Sequence, residues 1–229
     1  MIPSPQAILL FAAGFGTRMG DLTRDRPKPL IEVAGKPLLD HALSLAEAAE
    51  IPQKVVNAHY HADMISAHLA GQDIRVSVEA PDILDTGGGL RHALPLLGSG
   101  PVFTLNTDAV WSGPNPLNTL RQAWDPARMS GLLLLVPADH ATGHGGSGDF
   151  TLQADHRITR QGPMVYSGAG ILDPEGIDAV PDVAFSLNRL WDRMLQDHRL
   201  FGVVHQGGWC DVGHPEGIGL AESLLGAHT

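Results

Sequence analysis

Two cationic side chains follow a glycine-rich turn near the start of the chain. Residues 11–30 read Phe-Ala-Ala-Gly-Phe-Gly-Thr-Arg-Met-Gly-Asp-Leu-Thr-Arg-Asp-Arg-Pro-Lys-Pro-Leu. Gly14 and Gly16 allow the backbone to turn sharply and to approach a ligand closely. Free N–H groups in such a turn, with Arg18 and Lys28 nearby, form a binding site for a polyanion, and a nucleoside triphosphate (NTP) is the obvious candidate.

Two other phosphate-binding motifs do not match this turn. The residues after Gly16 are Thr-Arg, whereas a P-loop has Lys and then Ser or Thr after its second glycine. A dinucleotide-binding fingerprint requires glycine or alanine at the position that Met19 occupies. Lys28 has a proline on each side, and these prolines restrict the backbone, so the loop presents the lysine rigidly.

Two aspartates and a run of three glycines are further candidates, each with a plain structural alternative. Asp108 follows Asn106 and Thr107 at the end of an apolar segment, and Asp211 lies in the sequence Gly-Trp-Cys-Asp-Val-Gly. An isolated aspartate in such a position more often forms a turn or caps a helix than binds a metal ion. Residues 87–89 could form a flexible hinge, or they could bring the backbone close to a ligand.

Residues 11–30 closely resemble the signature of the sugar-1-phosphate nucleotidyltransferases, which join a sugar phosphate to an NTP and release pyrophosphate. The family pattern is Leu-Ala-Ala-Gly-x-Gly-Thr-Arg-Met, then Pro-Leu-Thr, then Pro-Lys-Pro-Leu. Here Phe11 replaces the leucine and Asp21 replaces the first proline. Residues 106–108 resemble the family's Asn-Gly-Asp segment, with threonine for glycine, and residues 209–213 resemble its Trp-x-Asp-[Val/Ile]-Gly segment.

The resemblance implies a role for each of these segments. Arg18, Lys28 and Asp108 would be the catalytic residues, with Arg18 on the departing phosphates and Lys28 between the α-phosphate and the incoming sugar phosphate. Asp108 and Asp211 would bind the same Mg²⁺, a hard cation that carboxylate and phosphate oxygens hold well. The implied nucleotide contacts are Ala12, Ala13, Gly14, Gly16, Thr17, Glu79, Gly87, Gly88 and Asn106.

Nearly the whole chain is similar to the short, single-domain N-acetylmuramate α-1-phosphate uridylyltransferases of cell-wall recycling. The similar segments are residues 85–89, 145–150, 166–168 and 221–224. This match implies that Asp149 and Gly168 face the sugar, and that the substrates are UTP and N-acetylmuramate 1-phosphate. Ser186 stands where these enzymes would have a basic residue. A mannose- or heptose-1-phosphate guanylyltransferase, or a regulator that binds nucleotide sugars without turnover, therefore remains an alternative.

Composition and charge limit the classes of partner. The chain has 229 residues, a net charge of −10 and a single cysteine, Cys210. A strongly negative charge argues against nucleic-acid binding. One cysteine excludes an internal disulfide and fits a reducing compartment. No segment resembles a signal peptide or a membrane span. We expect a cytoplasmic protein without a nucleic-acid or membrane partner, present as a monomer or weak homodimer.

Strand-like and helix-like segments alternate along the chain, which predicts an α/β fold with a mostly parallel, Rossmann-like sheet and flanking helices. The predicted strands are residues 7–12, 54–57, 74–78, 102–105, 131–136, 166–172, 200–204 and 209–212, with a hairpin at 150–152 and 157–159. The predicted helices are residues 38–49, 62–69, 89–97, 117–124, 185–195 and 215–225. Residues 139–148 have no apolar period and are predicted to form a mobile loop.

The order of these segments predicts one nucleotidyltransferase domain over residues 1–229. Its nucleotide-binding part is expected at about residues 1–136. A small sugar-binding lobe, with the second metal ligand, is expected at about residues 137–229. Ligands of open α/β sheets bind outside the carboxyl ends of the strands. Gly14, residues 87–89 and Asp108 should therefore converge on one crevice.

Overall fold

The computed structural model of the chain describes residues 5–226. The strands are β1 (Ala7–Phe11), β2 (Glu32–Val33), β3 (Lys36–Pro37), β4 (Gln53–Ala58), β5 (Arg75–Val78), β6 (Val102–Asn106), β7 (Ala109–Trp111), β8 (Gly131–Pro137), β9 (Ala141–Thr142), β10 (Phe150–Leu152), β11 (Ile158–Arg160), β12 (Met164–Leu172), β13 (Leu200–Val204) and β14 (Trp209–Asp211). The α-helices are α1 (Leu38–Ala48), α2 (Ala62–His68), α3 (Asp85–Leu97), α4 (Pro116–Ala123), α5 (Asn188–Gln196) and α6 (Glu216–Gly226). Short 3₁₀ segments include Thr17–Thr23 and Lys28–Leu30.

Nine of the described strands form the central sheet. Strands β5, β4, β1 and β6 are neighbours and run parallel to one another. Strand β12 lies antiparallel between β6 and β8, and β13 continues the sheet parallel to β8. The β10–β11 hairpin attaches to the start of β12. The predicted mostly parallel sheet with flanking helices is confirmed, and strands from both predicted parts of the chain share it.

The central strands are continuous apolar runs because successive side chains are buried on opposite faces of the sheet, and both faces are covered. In β1, Ile8 and Leu10 join one core cluster, whereas Leu9 joins another on the opposite face of the sheet. All three side chains are fully buried. Helices cover both faces, so neither face of the strand needs a polar residue.

A second sheet of three short strands brings the two candidate aspartates together. Strand β14 pairs antiparallel with β7, which places Asp211 opposite Ala109, and the N–H of Val212 donates to the carbonyl of Asp108 at 2.8 Å. Strand β9 pairs with the other edge of β14. The sequence did not predict β7, and the predicted loop at residues 139–148 was wrong in part, since it contains β9.

Two helices begin three or more residues away from their predicted starts. Helix α3 begins at Asp85, so the three glycines lie inside its first turns, and α5 begins at Asn188 instead of residue 185. The cause is a tertiary contact, because the carbonyl of Phe185 accepts hydrogen bonds from the N–H groups of Gly87 (2.8 Å) and Gly88 (3.0 Å). Among the described residues, no helix combines the length and the apolar character that crossing a membrane requires.

Candidate active site

A cavity of about 310 Å³ lies where β1 and β6 end. Ten of the predicted site residues line it: Ala12, Ala13, Gly14, Gly16, Thr17, Arg18, Lys28, Glu79, Asn106 and Asp108. They come from the glycine turn after β1, the two 3₁₀ segments that follow it, the residue after β5 and the end of β6. The carboxyl edge of the parallel strands therefore gathers the cationic and acidic candidates in one place.

The two glycines of the turn have different roles. Gly16 has a φ of +65°, and a Cβ at this position would lie 2.9 Å from Lys28 Cβ and 2.9 Å from Thr23 Cγ2. Only glycine fits such a left-handed, crowded position without strain. A Cβ on Gly14 would meet no protein atom within 4 Å. Its missing side chain therefore leaves room on the cavity side, where a ligand can approach the backbone.

Lys28 is a buried cation that faces an acidic partner. The 3₁₀ segment after Pro27 directs the lysine inward, leaving it 8% exposed. Its Nζ donates to Asp108 Oδ2 at 2.8 Å, while Arg18 lines the same cavity from the exposed side of the turn. The cavity therefore combines one fixed ammonium group with one solvent-accessible guanidinium group.

Asp211 lies close to Asp108 although 103 positions separate them (211 − 108). Burial raises the pKa of Asp211, and the negative charge of Asp108 raises it further, while Lys28 and Arg18 act in the opposite direction. A Cβ on Gly213 would lie 2.9 Å from Asp211 Oδ2 and 3.2 Å from an Arg18 Nη1 nitrogen. The two carboxylates thus form an acidic pair beside the cationic residues.

A buried hydrogen-bond network forms one wall of the cavity. Asn57 Oδ1 accepts from the N–H of Ala12, and Asn57 Nδ2 donates to Glu79 Oε1, both at 2.7 Å. Glu79 Oε2 accepts from the N–H of Leu84, also at 2.7 Å. Sequence reasoning missed Asn57, because a lone asparagine within a strand gives no signal of a partner 22 residues further on.

A second cavity, also of about 310 Å³, shares Phe11, Asp85, Thr86 and Asn106 with the first and extends towards the β10–β11 hairpin. Asp149 lines it, and Asp149 Oδ2 accepts from the N–H of Tyr166 at 2.8 Å. Asp85, one of the shared residues, has a φ of +58°, an uncommon backbone conformation for a residue other than glycine. The sequence singled out the segment that contains Asp85 but not this side chain.

Three of the predicted contact glycines do not line either cavity. A Cβ on Gly87 would lie 2.5 Å from the Phe185 ring, and one on Gly88 would lie 2.5 Å from the carbonyl oxygen of Val183. Gly168 has a φ of +86°, and its Cβ would lie 2.8 Å from Asn106 Cβ. Helix and strand packing explains these glycines. The N–H groups of Gly87 and Gly88 donate to the carbonyl of Phe185, and the nucleotide contacts of these two glycines stay predictions.

Thr107 stands where the glycine of the family pattern is expected. Its side chain is buried, and its Oγ1 donates to the carbonyl of Phe11 at 2.7 Å. The hydroxyl thus ties the end of β6 to the end of β1. Thr107 also lines the cavity, directly before Asp108.

Comparison with known proteins assigns the chain to a family. Residues 8–145 match the model of the MobA-like NTP transferase domain. The chain is 41% identical to the N-acetylmuramate alpha-1-phosphate uridylyltransferase of Caulobacter vibrioides, over 98% of this chain and 99% of that one. It is 32% identical to the protein of the same name from Neisseria meningitidis, over 96% and 98% of the two chains. The chain belongs to the sugar-1-phosphate nucleotidyltransferases.

A solved structure supports the fold of this nucleotidyltransferase. HddC from Yersinia pseudotuberculosis, in a crystal structure complexed with GMP-PN, matches with a TM-score of 0.77 and 21% identity. The match covers 96% of this chain and 99% of that one. At this identity the likeness concerns the fold alone. The family model spans Arg18, Lys28 and Asp108, whereas Asp211 lies beyond the matched residues.

Proposed function

We propose that this enzyme transfers the uridylyl group of UTP to N-acetylmuramate 1-phosphate and releases pyrophosphate. The observation that carries the proposal is the convergence of Arg18, Lys28 and Asp108 on one cavity. It occurs in a chain that shares 41% identity, over almost its full length, with a relative named for this reaction.

The proposed reaction is a single in-line displacement. An oxygen of the sugar phosphate attacks the α-phosphorus of UTP; a P–O bond forms there while the bond to the bridging oxygen of the leaving pyrophosphate breaks. No general base is needed, because the attacking phosphate is already an anion at neutral pH. Catalysis then consists of placing two anions together and offsetting their charge.

The cationic residues divide this work between them. Arg18, at the open side of the turn, would hold the departing phosphates through its planar set of N–H donors. Lys28 would contact both the α-phosphate and the incoming phosphate. An ammonium group has three N–H donors, so Lys28 can keep its bond to Asp108 and still donate to two phosphate oxygens.

The paired carboxylates of Asp108 and Asp211 fit a bound Mg²⁺. Their ligand atoms are all oxygen, as this cation prefers. Burial first, and the charge of Asp108 second, raise the pKa of Asp211, and a divalent cation would stabilise the ionised form of this carboxyl group. When bound, the cation would neutralise phosphate charge. Asp108 and Asp211 would hold it, and phosphate oxygens would complete its ligands.

Pyrophosphate release, measured with a panel of NTPs and sugar 1-phosphates in the presence of Mg²⁺, tests the proposal. We expect the highest kcat/KM with UTP and N-acetylmuramate 1-phosphate. Preference for GTP and mannose 1-phosphate would contradict the substrate assignment. Tight binding of a nucleotide sugar without pyrophosphate release from any pair would indicate a regulator instead. A role in cell-wall recycling, a cytoplasmic location and a monomeric or weakly dimeric state remain predictions from the sequence.

A further inference from the structure

We propose that Arg160 binds a carboxylate on the sugar of the acceptor, so that the enzyme selects a sugar acid over the corresponding neutral sugar. The inference rests on the proposed function and names a residue that determines the choice of sugar. It begins with the second cavity, whose described lining residues include a single Lys or Arg side chain, Arg160.

The position of this cavity fits the body of a sugar whose phosphate lies beside Lys28. The nucleotide cavity and the second cavity share four lining residues, so together they form one continuous depression. Arg18 and Lys28 line the first part, and Arg160 lines the second part only. A sugar 1-phosphate placed with its phosphate near Lys28 therefore extends towards the strand that carries Arg160.

The guanidinium group of Arg160 is held in place before any ligand arrives. Its Nε and Nη2 donate to Asp192 Oδ1 at 3.1 and 2.7 Å. Its central carbon lies 5.0 Å from the centroid of the Phe150 ring and 5.8 Å from that of Trp191. Within residues 5–226, no hydrogen bond uses Nη1 of Arg160. A fixed guanidinium with a free edge is suited to a carboxylate, with which it forms charge-assisted hydrogen bonds.

The other charged groups of the second cavity are acidic. Asp149 accepts from the N–H of Tyr166, and Asp85 Oδ1 accepts from the N–H of Thr86. Both carboxylates can accept hydrogen bonds from sugar hydroxyls, but they repel an acid. A carboxylate on the sugar is therefore directed to Arg160. Muramate is such a sugar acid, and Ser186, which also lines the cavity, has no charge to offer.

Steady-state kinetics of the Arg160→Gln variant test the inference. The two acceptors are N-acetylmuramate 1-phosphate and N-acetylglucosamine 1-phosphate, which lacks the carboxylate. We expect KM for the acid to rise about ten- to a hundredfold, the usual worth of a hydrogen bond to a charged group. KM for the neutral acceptor, KM for UTP and kcat should change little. Arg160→Lys should restore part of the affinity, because it retains the charge without the planar fork.

Arg157→Gln is the matched control. Arg157 lies next to the same hairpin, pairs with Asp155 and stacks on Phe201, but it does not line the second cavity. Its loss should leave both acceptors unaffected. An equal rise of KM for both acceptors in Arg160→Gln, or no rise for the acid, would overturn the inference and leave uridylyl transfer intact.

Calorimetric titration with N-acetylmuramate 1-phosphate separates this inference from the proposed function. Weaker binding by Arg160→Gln than by the wild type supports the role of Arg160 even if no pyrophosphate is released. If the wild type turns over neutral sugar phosphates only, the sugar assignment and the role of Arg160 both fail, while nucleotidyl transfer stands.

Discussion

Exchanging the side-chain types of the buried residues Asn57 and Glu79 tests the hydrogen-bond network in the cavity wall. Each residue is only 2% exposed, and three hydrogen bonds of 2.7 Å connect them to each other and to the N–H groups of Ala12 and Leu84. Asn57→Asp replaces the donor to Glu79 with a second carboxylate, so two buried acids face each other. Glu79→Gln leaves an amide donor facing either Asn57 Nδ2 or the Leu84 N–H.

The size of each effect follows from the hydrogen bonds that are lost. An unsatisfied buried polar group costs about 1–3 kcal/mol, and a charged one costs more. By that measure we expect a loss of about 1–3 kcal/mol in the free energy of unfolding for Glu79→Gln, and about 3 kcal/mol or more for Asn57→Asp. In the double variant the carboxylate that replaces the Asn57 amide accepts from Ala12 and from the new glutamine amide. The glutamine oxygen accepts from Leu84, so all three bonds return.

Urea unfolding of the wild type, both single variants and the double variant measures the coupling. We expect the double variant to be at least about 2 kcal/mol more stable than the sum of the two single losses predicts, because the hydrogen bonds lost in the single variants form again. KM for UTP should follow the same order, because Glu79 lines the nucleotide cavity. Simple additivity of the two losses would refute the network that we describe.

Three further predictions concern the charged site and its surroundings. Lys28→Met should lower kcat by about a hundredfold or more, as loss of one charge-stabilising donor does. Lys54→Met, outside the cavity, is the control. Near-normal turnover in the Lys28 variant would exclude the proposed role. Asp211→Asn should abolish most activity yet stabilise the fold at pH 7 without divalent cations. The raised pKa of Asp211 means that its ionisation costs stability above the ordinary aspartate pKa of about 3.9. The stability gain should therefore vanish as the pH falls below that value, and a gain independent of pH in urea unfolding would contradict this cause. Cys210 is fully buried, and burial together with the Asp211 charge raises the pKa of its thiol to about 11. Because only the thiolate is reactive, the native protein should react slowly with a thiol reagent at a pH of about 8 and quickly in urea. Rapid labelling of the native protein would argue against this environment.

Local patterns predicted the strands that are buried on both faces and the turn that follows the first of them. The apolar run of Ile8, Leu9 and Leu10 indicates a strand that is buried on both faces of the sheet. The turn after such a strand lies at the edge where the parallel strands have their carboxyl ends. The start of α3 was not predictable in this way. Glycine has a low helix propensity, so Gly87 and Gly88 indicate a break, and only the contact with Phe185 makes a helical turn favourable there.

The proximity of Asp108 and Asp211 could not be predicted from local sequence patterns; only the family resemblance implied that the two residues lie together. Their proximity depends on the pairing of β7 with β14, and β7 is a strand of three residues directly after Asp108. Such a short strand has too few residues for a periodic pattern. Arg160 was missed for a similar reason, because an arginine in an exposed hairpin gives no indication that the hairpin borders a cavity.

Acidic side chains outnumber cationic ones at the nucleotide site of the free protein. Arg18 and Lys28 contribute two positive charges, in a chain whose net charge is −10. Four acidic side chains line or adjoin the same cavity: Glu79, Asp85, Asp108 and Asp211. An NTP and a sugar phosphate add several negative charges, which the two cationic side chains cannot offset. Positive charge must therefore enter with the substrates, and the acidic pair is where a cation would be attracted most strongly. We therefore expect the affinity for UTP to rise steeply with the concentration of divalent cation, because the charges of Arg18 and Lys28 alone are too few to bind the triphosphate.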